Sequence, residues 1–427
     1  MAEKISFNSD AWKCQKLKYV TTFSPNVRMT LNLEVTFLPM EAMHDGFYEM
    51  DSTIKARDAV SYTSFEDGDI LLAKVTPCFE NGNLAIAHDL LNGKGFGSSE
   101  YHVLRCDESV AYNRFILYLL MNDDFKQSAV SAMTGSAGLK RVPSEFVMNY
   151  EFYLPPLSEQ HAIATYLDRK CGQIDDIIAD LQRQIARLES YKKSLISETV
   201  TKGLNPDVPM KDSGIEWIGQ MPEHWDVSRL KYCCEVKTGP FGTQLSAEEY
   251  VDEGIPIINV KNIGYGSIKD EDLDQIPDAV KERLFAHVLQ KGDIVFGRKG
   301  AVDKHAIINS QHDGWVQGSD CMRVRIKSEI KPEFLNYYFG AVGYGEYVLV
   351  NSVGATMASV NAEILNNSVI VFPGLEEQRA IATYLDRKCA EIDTILDDKR
   401  KQVENMKNHR KSVIYEYVTG KKRVKEV

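Results

Sequence analysis

The stretch LSEQHAIATYLDRKCGQID at residues 157–175 returns as LEEQRAIATYLDRKCAEID at residues 375–393. Fifteen of the nineteen positions are identical, and the two copies lie 218 residues apart. The same offset relates ISETVT at 196–201 to IYEYVT at 414–419, with no insertion between them. A repeat of this length indicates an internal duplication, and two copies are too few for a solenoid. We therefore expect two related halves and a pseudo-two-fold arrangement within one polypeptide.

The repeated segment carries a heptad pattern that is typical of a long helix in a coiled coil. In the first copy the pattern predicts a helix from about Ser158 to Lys202, roughly 65 Å long at 1.5 Å per residue. Lys399 and Arg410 interrupt the second seam, and such breaks commonly set the register of a helix pair. Because segments of equal size separate the two helices, we expect them to pack antiparallel. The apolar seam residues are Leu167, Ile174, Leu181 and Leu188 in the first helix, and Leu385, Ile392, Leu396 and Val403 in the second.

Each helix follows a segment of about 150 residues, and these two segments are also related. WKCQKLKYV at 12–20 resembles WDVSRLKYC at 225–233, and GDILLAK at 68–74 resembles GDIVFGR at 292–298. Both segments contain short β-branched runs that are broken by Gly, Asn and Asp. The sequence therefore predicts two α+β globular domains with twisted, mostly antiparallel sheets.

The expected organisation alternates globular domains with long helices. The turn-rich and acidic NPDVPMKDSGIEWIGQMPEH separates the two halves and is interpreted as a linker. The boundaries are a first domain at 1–156, a first scaffold helix at 157–203, the linker at 204–224, a second domain at 225–373, a second scaffold helix at 374–420 and a basic tail at 421–427.

Composition restricts the classes of function. The net charge of −11 argues against non-specific coating of nucleic acid, so DNA binding requires basic residues that are concentrated on one face. No apolar run reaches the roughly 20 residues of a membrane span, and MAEKISFNSD does not have the apolar core of a secretory signal. The eight cysteines form no CxxC pair and show no zinc-ligand spacing with histidine. These features predict a cytoplasmic protein with reduced thiols and no metal site.

Motifs of catalysis are absent from the sequence. There is no GxxxxGK[ST] loop for a nucleoside triphosphate. An adenine methyltransferase needs an Asn/Asp-Pro-Pro-aromatic site, and neither LPPL at 154–157 nor NPDV at 205–208 provides one. The nine histidines form no recognisable triad pattern. We therefore predict no catalytic residue and no bound cofactor in this chain.

Candidate binding residues lie in glycine-bearing turns such as TGSAGLKRV at 134–142, KTGPFGTQL at 237–245 and GRKGAVDK at 297–304. Lys, Arg, Asn and Gln at such turns contact phosphates and read base edges. From composition alone, ordinary solvated surface turns are the simpler alternative. The candidates for DNA binding are Lys74, Asn81, Ser136, Lys140 and Arg141 in the first domain, and Lys237, Thr238, Gln244, Asn259, Lys261, Arg298 and Lys299 in the second.

Taken together, four features resemble the specificity subunit of Type I restriction-modification systems. They are the duplicated LxEQxxIATYLDRK helix starts, the central MKDSGIEWIGQMPEHW, KTGPFG with the following INVKNI, and LAKVTPCFENG with GATMASVN. The resemblance implies two target-recognition domains, each of which reads one half of a split, asymmetric site on double-stranded DNA. It also implies that two long antiparallel helices hold these domains apart and bind partner subunits. The first domain reads TTFSPNVRM where the second has KTGPFG, so that loop is expected only in the second half.

The resemblance further implies that the chain has no catalytic centre and positions two modification subunits. Those subunits methylate adenine N6 with S-adenosylmethionine, and restriction subunits join them to cleave unmodified DNA with ATP and Mg²⁺. Three alternatives stay open at the level of sequence. They are an orphan or inactive specificity subunit that acts as a helical scaffold, another kind of structural protein, and a divergent DNA-modifying enzyme.

Overall fold

A computed structural model describes residues 12–49, 52–59, 61–136, 138–241, 244–300, 302–327, 329–352 and 359–424. The chain forms two compact units. Unit 1 combines Met1–Gln182 with Lys401–Val427, and unit 2 is Arg183–Arg400. The division passes through both long helices, so each unit contains a globular part and a portion of each helix.

The described part of unit 1 contains short strands, helices α1 to α3 and portions of the two long helices. The strands are β1 (Lys13–Lys16), β2 (Thr21–Phe23), β3 (Glu34–Leu38), β4 (Ser52–Lys55), β5 (Thr63–Glu66), β6 (Ile70–Ala73), β7 (Leu84–Ile86), β8 (Lys94–Gly97), β9 (Tyr101–Cys106), β10 (Thr134–Ser136), β11 (Leu139–Arg141) and β12 (Glu151–Leu154). The helices are α1 (Asn113–Met121), α2 (Asp123–Ala132), α3 (Ser144–Asn149) and the long α4 (Leu157–Lys202).

Two four-stranded sheets organise unit 1, in the orders β2-β9-β6-β7 and β4-β3-β8-β5. Their pairs are antiparallel except β3 with β8. Strands β1 and β12 form a separate pair at the base of α4, and β10 and β11 form a two-stranded ribbon. Helix α1 is buried from Phe115 to Met121, because it is apolar on all sides and lies inside the core.

Unit 2 repeats this composition of elements. Its strands are β13 (Met210–Asp212), β14 (Gln220–Pro222), β15 (Asp226–Arg229), β16 (Cys234–Thr238), β17 (Ile255–Ile258), β18 (Tyr265–Gly266), β19 (Asp274–Ile276), β20 (Ile294–Gly297), β21 (His305–Ile307), β22 (Val316–Gln317), β23 (Cys321–Ile326) and β24 (Val369–Phe372). Its helices are α5 (Leu230–Cys233), α6 (Asp278–Arg283), α7 (Pro332–Phe339), α8 (Val342–Asn351), α9 (Ala362–Asn367) and the long α10 (Leu375–Val418). The main sheet has the order β16-β23-β20-β21-β18, and a smaller one has the order β19-β17-β22.

An ion pair with a buried aspartate lies at the start of an inner strand of the main sheet in each unit. In unit 1 the carboxylate of Asp69 accepts two hydrogen bonds from the guanidinium of Arg105, both at 2.7 Å. In unit 2 Asp293 and Arg325 make the same bidentate pair at 2.8 and 2.7 Å. Both aspartates are almost fully buried and also accept a bond from a backbone amide three residues earlier. The predicted relation between the globular segments therefore extends to an identical polar contact in the core.

The long helices lie where the heptad pattern predicts them. Helix α4 begins one residue before the expected Ser158 and ends at Lys202. Of the eight predicted seam residues, seven are buried and Leu188 is half-buried. Near the ends of the helices the seam continues into the globular cores, as with Leu167 in unit 1 and Leu385 in unit 2. The α+β fold with two long helices is therefore confirmed.

The helices run antiparallel within each unit. In unit 1 the guanidinium of Arg410 lies 3.2 Å from the carboxylate of Asp175. In unit 2 the ammonium of Lys192 lies 2.6 Å from the carboxylate of Asp393. Residues that lie 218 positions apart are equivalent in the repeat, so Asp393 corresponds to Asp175 and Arg410 to Lys192. The same aspartate–cation contact between the two helices is therefore present in both units. Arg410, which breaks the apolar seam, is thus one member of a duplicated pair that sets the register.

Replacing the two cations of this duplicated pair is expected to have unequal effects. The Arg410 side chain is 18% exposed and also lies 3.1 Å from a second carboxylate, that of Asp45. The Arg410→Ala variant should lose about 2 kcal/mol of stability, because a largely buried guanidinium is removed and Asp175 loses its cation, while Asp45 keeps Lys126 at 3.6 Å. The Lys192→Ala variant should lose less than about 1 kcal/mol, because the pair with Asp393 is more exposed. Urea unfolding combined with hydrogen exchange of each unit measures both values, and equal losses would contradict this account.

The segment expected to link the halves is a folded part of unit 2. Strands β13 and β14 form a hairpin, and Ile218 and Met221 are buried in the core. A Cβ at Gly343 would lie 2.4 Å from the ring of Trp217, so only glycine permits this approach. The turn-forming residues of 204–224, predicted as a linker, therefore include a hairpin that packs on the core of unit 2.

The glutamine of the repeated helix start is fully buried in both units. The Gln160 side-chain amide donates to the carbonyls of Val110 and Pro155, both at 2.9 Å. Its oxygen accepts from the backbone amide of Tyr112 at 2.8 Å. Gln378 makes the same three bonds in unit 2, at 2.7 to 2.8 Å, to the carbonyls of Glu329 and Pro373 and the amide of Lys331. The amide thus fastens the first turn of each long helix to the loop before α1 or α7.

Two further residues of the repeated run, an aspartate and a glutamate, also bond to the globular part of their own unit. Glu159 accepts a bond from the indole of Trp12 at 3.0 Å, and Asp168 accepts one from the hydroxyl of Tyr118 at 2.7 Å. The equivalent bonds in unit 2 join Glu377 to Trp225 at 3.2 Å and Asp386 to Tyr337 at 2.8 Å. Much of the repeated run is therefore needed to dock each helix onto its own globular part.

Candidate nucleic-acid interface

Most of the predicted residues of the first domain meet at one end of the main sheet of unit 1. The ribbon β10–β11 lies beside the segment that follows β6, where the amide of Val142 donates to the carbonyl of Lys74 at 2.8 Å. The Thr76 amide donates to the carbonyl of Lys140 at 3.0 Å, and the Thr76 hydroxyl accepts a bond from the Lys140 amide at 3.0 Å. Every residue of β10 and β11 is exposed. Lys74, Ser136, Lys140 and Arg141 thus belong to one projecting surface, called here the unit 1 ribbon.

One cation of this ribbon is paired with an acid. The guanidinium of Arg141 donates two hydrogen bonds to Glu100, both at 2.9 Å. These bonds lower the pKa of Glu100, so this carboxylate is charged at neutral pH. The ammonium of Lys74 donates to the carbonyl of Ser99 at 2.8 Å. Lys140 has no ion pair within the described part of the chain, and its ammonium is the most available positive charge of the ribbon.

A buried histidine of the main sheet contacts the residue that follows the ribbon. The Nε2 atom of His102, on β9, lies 2.8 Å from the carbonyl of Val142. Burial lowers the pKa of His102, so the ring is neutral at physiological pH and donates one bond from Nε2. The strand that ends the ribbon is therefore anchored to the core sheet.

Asn81 lies on a different surface of unit 1. It lines an open groove whose other walls include Asp45, Glu80 and Asp123. Two of these carboxylates have cations beside them, since Lys126 lies 3.6 Å from Asp45 and Lys411 lies 3.8 Å from Asp123. Asn81 is therefore not brought together with the ribbon, although the sequence places it in the same loop.

Unit 2 has an equivalent edge, which is called here the Arg298 edge. The amide of Val360 donates to the carbonyl of Arg298 at 2.9 Å, as Val142 does to Lys74 in unit 1. Lys299 forms a bridge with Ser359, and its ammonium lies 3.1 Å from the carboxylate of Asp320. Arg298 and Lys299 therefore follow β20 as Lys74 and Val75 follow β6, with an acid just before the neighbouring strand in both units.

The glycine-bearing KTGPFG turn completes this edge. A Cβ at Gly239 would lie 2.0 Å from the carbonyl oxygen of Gly318, so the close backbone approach requires glycine. The guanidinium of Arg298 lies 4.6 Å from the ring centre of Phe241, which is half-exposed. Such cation–π contacts hold an arginine in a defined orientation. Lys237 and Thr238 lie on β16 just before the turn, at the same end of the main sheet as Arg298.

The remaining candidates of the second domain are held by internal contacts. The Gln244 side-chain oxygen accepts from the amide of Phe241 at 3.1 Å and so closes the turn. The Asn259 side-chain amide donates to Asp274 at 2.7 Å. The ammonium of Lys261 lies 3.1 Å from both Asp272 and Asp274. Asn259 and Lys261 therefore stabilise an acidic loop, which makes them poor choices for contacts to DNA.

Parts of both predicted surfaces lie outside the described residues. These are Ala137 in the unit 1 ribbon, Gly242 and Thr243 in the KTGPFG turn, Ala301 in GRKGAVDK and residues 354–358 of GATMASVN.

Sequence reasoning missed three contributors to these surfaces. They are the counter-ions Glu100 and Asp320 and the stacking ring of Phe241. A signal for the two acids was present, because GSSE and GSD precede equivalent strands in the two halves. Phe241 stands within the quoted turn, but its position over Arg298 depends on a strand 57 residues away in the chain.

Comparison with known proteins identifies the family. The model of the Type I restriction modification DNA specificity domain matches residues 35–187 and 222–405, which is most of the chain and one match in each half. The chain belongs to this family. Among specificity-domain proteins, the MjaVIII specificity subunit of Methanocaldococcus jannaschii is 26% identical over 96% of this chain and 92% of that protein. The EcoAI specificity subunit of Escherichia coli is 32% identical over 51% of this chain, a match that spans 36% of that protein.

Solved structures of the specificity-domain family support the same fold. One, described as the structural basis of complex assembly and conformational transition of the type I R-M system, matches with a TM-score of 0.76. It is 18% identical and covers 96% of this chain and 98% of that chain. The HsdS subunit from Thermoanaerobacter tengcongensis matches with a TM-score of 0.53 at 18% identity, over 98% of this chain and all of that one. At these identities the likeness establishes the fold.

The described residues contain no group of three or more His, Cys, Asp or Glu side chains arranged to hold a metal ion. Their helices include none that is both long and apolar enough to cross a membrane.

Proposed function

We propose that this chain is the DNA-reading specificity subunit of a Type I restriction-modification complex and recognises a bipartite, asymmetric site. The observation that carries the proposal is the equivalence of the unit 1 ribbon and the Arg298 edge. In both, basic residues lie on or beside the segment that follows β6 or β20, next to an acid. The side chains differ, because unit 1 has Lys74, Val75 and Arg141 where unit 2 has Arg298, Lys299 and Ser359. Equivalent scaffolds with different side chains suit the reading of two different half-sites.

Within this proposal the cations and polar groups have separate roles. Lys140 in unit 1, and Lys237 and Lys299 in unit 2, contact phosphates and set the register on the duplex. Arg141 and Arg298 are held in fixed orientations, the first by Glu100 and the second by Phe241. A guanidinium in a fixed orientation suits bidentate bonds to guanine O6 and N7. Ser136, Thr238 and Gln244 lie nearby and complete the polar surfaces.

The catalytic work belongs to partner subunits in this proposal. The family assigns this chain to specificity, and two modification subunits would methylate adenine N6 with S-adenosylmethionine. Restriction subunits would join them in the cytoplasm and cleave unmodified DNA with ATP and Mg²⁺. The acidic charge of −11 is compatible with DNA binding if the modification subunits help to enclose the duplex.

The proposal is tested by selecting binding sites from random duplexes with the purified complex of this chain and its modification subunit. The expected result is two short, unrelated blocks of preferred bases separated by a gap of fixed length without preference. A single continuous block, or no preference at all, would contradict the reading by two units. The same complex, incubated with S-adenosylmethionine, should methylate adenine within the selected blocks.

Neutralising the acid of the unit 1 ribbon is expected to raise non-specific affinity for DNA. In the Glu100→Gln variant, Arg141 keeps its charge and loses its anionic partner, and repulsion of phosphate is reduced. The slope of log affinity against log salt should therefore steepen by about one unit on non-specific duplex. Preference for the unit 1 half-site should fall, because Arg141 is less firmly oriented. Glu108→Gln, at an exposed position with the same change in net charge, serves as the control. Identical salt slopes for both variants would exclude Glu100 from the DNA-facing surface.

A further inference from the structure

Each unit exposes a lysine–tyrosine pair at equivalent positions. Tyr19 is 66% exposed and Tyr232 is 69% exposed. The ammonium of Lys18 lies 5.3 Å from the ring centre of Tyr19, and that of Lys231 lies 5.3 Å from the ring centre of Tyr232. Both pairs belong to the related stretches KLKYV and RLKYC, immediately after a fully buried leucine. The folded units therefore present the same two side chains to solvent in the same geometry.

A second side chain holds each lysine in place. The ammonium of Lys18 donates to the side-chain oxygen of Asn149 at 2.8 Å, and that of Lys231 donates to Asn367 at 3.4 Å. The repeat offset of 218 relates Asn149 to Asn367. Neither lysine forms an ion pair with a carboxylate among the described residues, so each retains an uncompensated positive charge. Burial in the core explains why the neighbouring leucines are the same in both units. It does not explain why the exposed lysine and tyrosine are also the same.

The pairs lie at the end of the main sheet opposite to the proposed DNA-facing edges. In unit 1, β9 pairs with β2 through Cys106 and Thr21, two residues after Tyr19. At its other end β9 pairs with β6 through Tyr101 and Ala73, immediately before the ribbon. The six residues of β9 span about 17 Å at roughly 3.4 Å per residue.

The registers of unit 2 give the same arrangement. There β23 pairs with β16 through Ile326 and Cys234, two residues after Tyr232. At its other end β23 pairs with β20 through Cys321 and Gly297, immediately before Arg298. A duplex on the ribbon or on the Arg298 edge is therefore a strand length away from either pair.

We propose that the two lysine–tyrosine pairs dock two copies of one protein, the modification subunit. The inference rests on the proposed function and adds a contact on each globular part. The ligand must be common to both units, because the pairs are identical while the DNA-facing side chains differ. Its surface must offer a carboxylate to the unpaired ammonium and an apolar recess to the tyrosine ring. Exposed tyrosines beside cations are typical anchors of protein–protein interfaces.

Exposed apolar residues at the start of each long helix extend the proposed contact. In unit 1, Tyr19 shares an open groove with Val110, Pro155, Pro156 and Leu157 at the start of α4. In unit 2, the exposed apolar residues Val227 and Leu375 lie on the strand before α5 and at the start of α10. One partner copy can therefore contact the lysine–tyrosine pair and the adjoining helix start together.

The test measures how many modification subunits bind to the full chain. Native mass spectrometry of the purified complex should give two copies with the wild-type chain. The double variant Lys18→Glu/Tyr19→Ala should retain one copy and weaken the other at least tenfold, and Lys231→Glu/Tyr232→Ala should do the same. The quadruple variant should weaken both. Because all four side chains are exposed, melting temperatures should stay unchanged and exclude misfolding.

Matched controls and the DNA readout separate the possible failures. Leu31→Ala and Phe285→Ala remove equally exposed apolar side chains from units 1 and 2 and should leave two copies bound. Unchanged affinity of the double variants would overturn the docking inference and leave the proposed function standing. Loss of DNA binding with two copies retained would also overturn it, since the pairs would then contact DNA. A wild-type chain that binds no modification subunit would instead refute the proposed function itself.

Discussion

Replacing Gln160 with glutamate is expected to destabilise unit 1 by at least about 3 kcal/mol, one of the largest effects available from a single atom change. The carboxylate cannot donate to the carbonyls of Val110 and Pro155, which both depend on the Gln160 amide. The change also places a negative charge at a position that is fully buried. For a unit of about 200 residues, this loss lowers the melting temperature by on the order of 10 °C.

Calorimetry of the full chain measures this effect, and hydrogen exchange assigns it to unit 1. Gln173→Glu makes the same chemical change on the exposed side of the same helix and should shift the melting temperature by less than about 2 °C. The equivalent Gln378→Glu variant should destabilise unit 2 by a similar amount, since its three bonds are the same. Equal melting temperatures for the variants at 160 and 173 would show that the repeated glutamine does not fasten the helix.

Removing the polar surface of the unit 1 ribbon is expected to erase specificity for one half-site and leave the other intact. In the variant with Ser136, Lys140 and Arg141 all changed to alanine, each lost base contact costs about 1–3 kcal/mol. The preference for the correct bases in that half should fall by roughly 10- to 100-fold. Loss of the Lys140 charge should also weaken binding to all sequences and flatten the salt slope by about one unit.

Selection of binding sites with the mutant complex provides the measurement. The Thr238→Ala/Arg298→Ala variant should relax the opposite half, because these residues lie in unit 2. Lys55→Ala removes an exposed cation of unit 1 away from the ribbon and should preserve both halves. If the ribbon variant relaxed both halves together, or neither, the assignment of one unit to each half-site would be wrong.

The long helices could be predicted nearly to the residue because their determinants are local. A heptad of apolar residues and a repeat with a constant offset need no knowledge of distant contacts. The antiparallel pairing also followed, since it depends only on the lengths of the intervening segments. The packing role of the repeated residues could not be predicted from the sequence, because Gln160 bonds to groups 5 to 50 residues away in the chain.

The candidate site was less predictable because it depends on side-chain partners. The residue types of Lys261 and Asn259 predicted contacts to DNA, yet both side chains bond to nearby aspartates of the same unit. Arg141 and Lys299 are paired with acids that lie 41 and 21 positions away, respectively. Ion pairs that close across strands carry no local signal in the sequence.

Mapping N6-methyladenine across the genome of the native strain, with and without this gene, tests the central claim most directly. If the chain reads a bipartite site, deletion will remove one methylated motif made of two short blocks around a fixed gap. Restoring the gene with the unit 1 ribbon changed to alanine will then relax only one of those blocks. A methylome that is unchanged by deletion would contradict the account, because no modification in the cell would then depend on this chain.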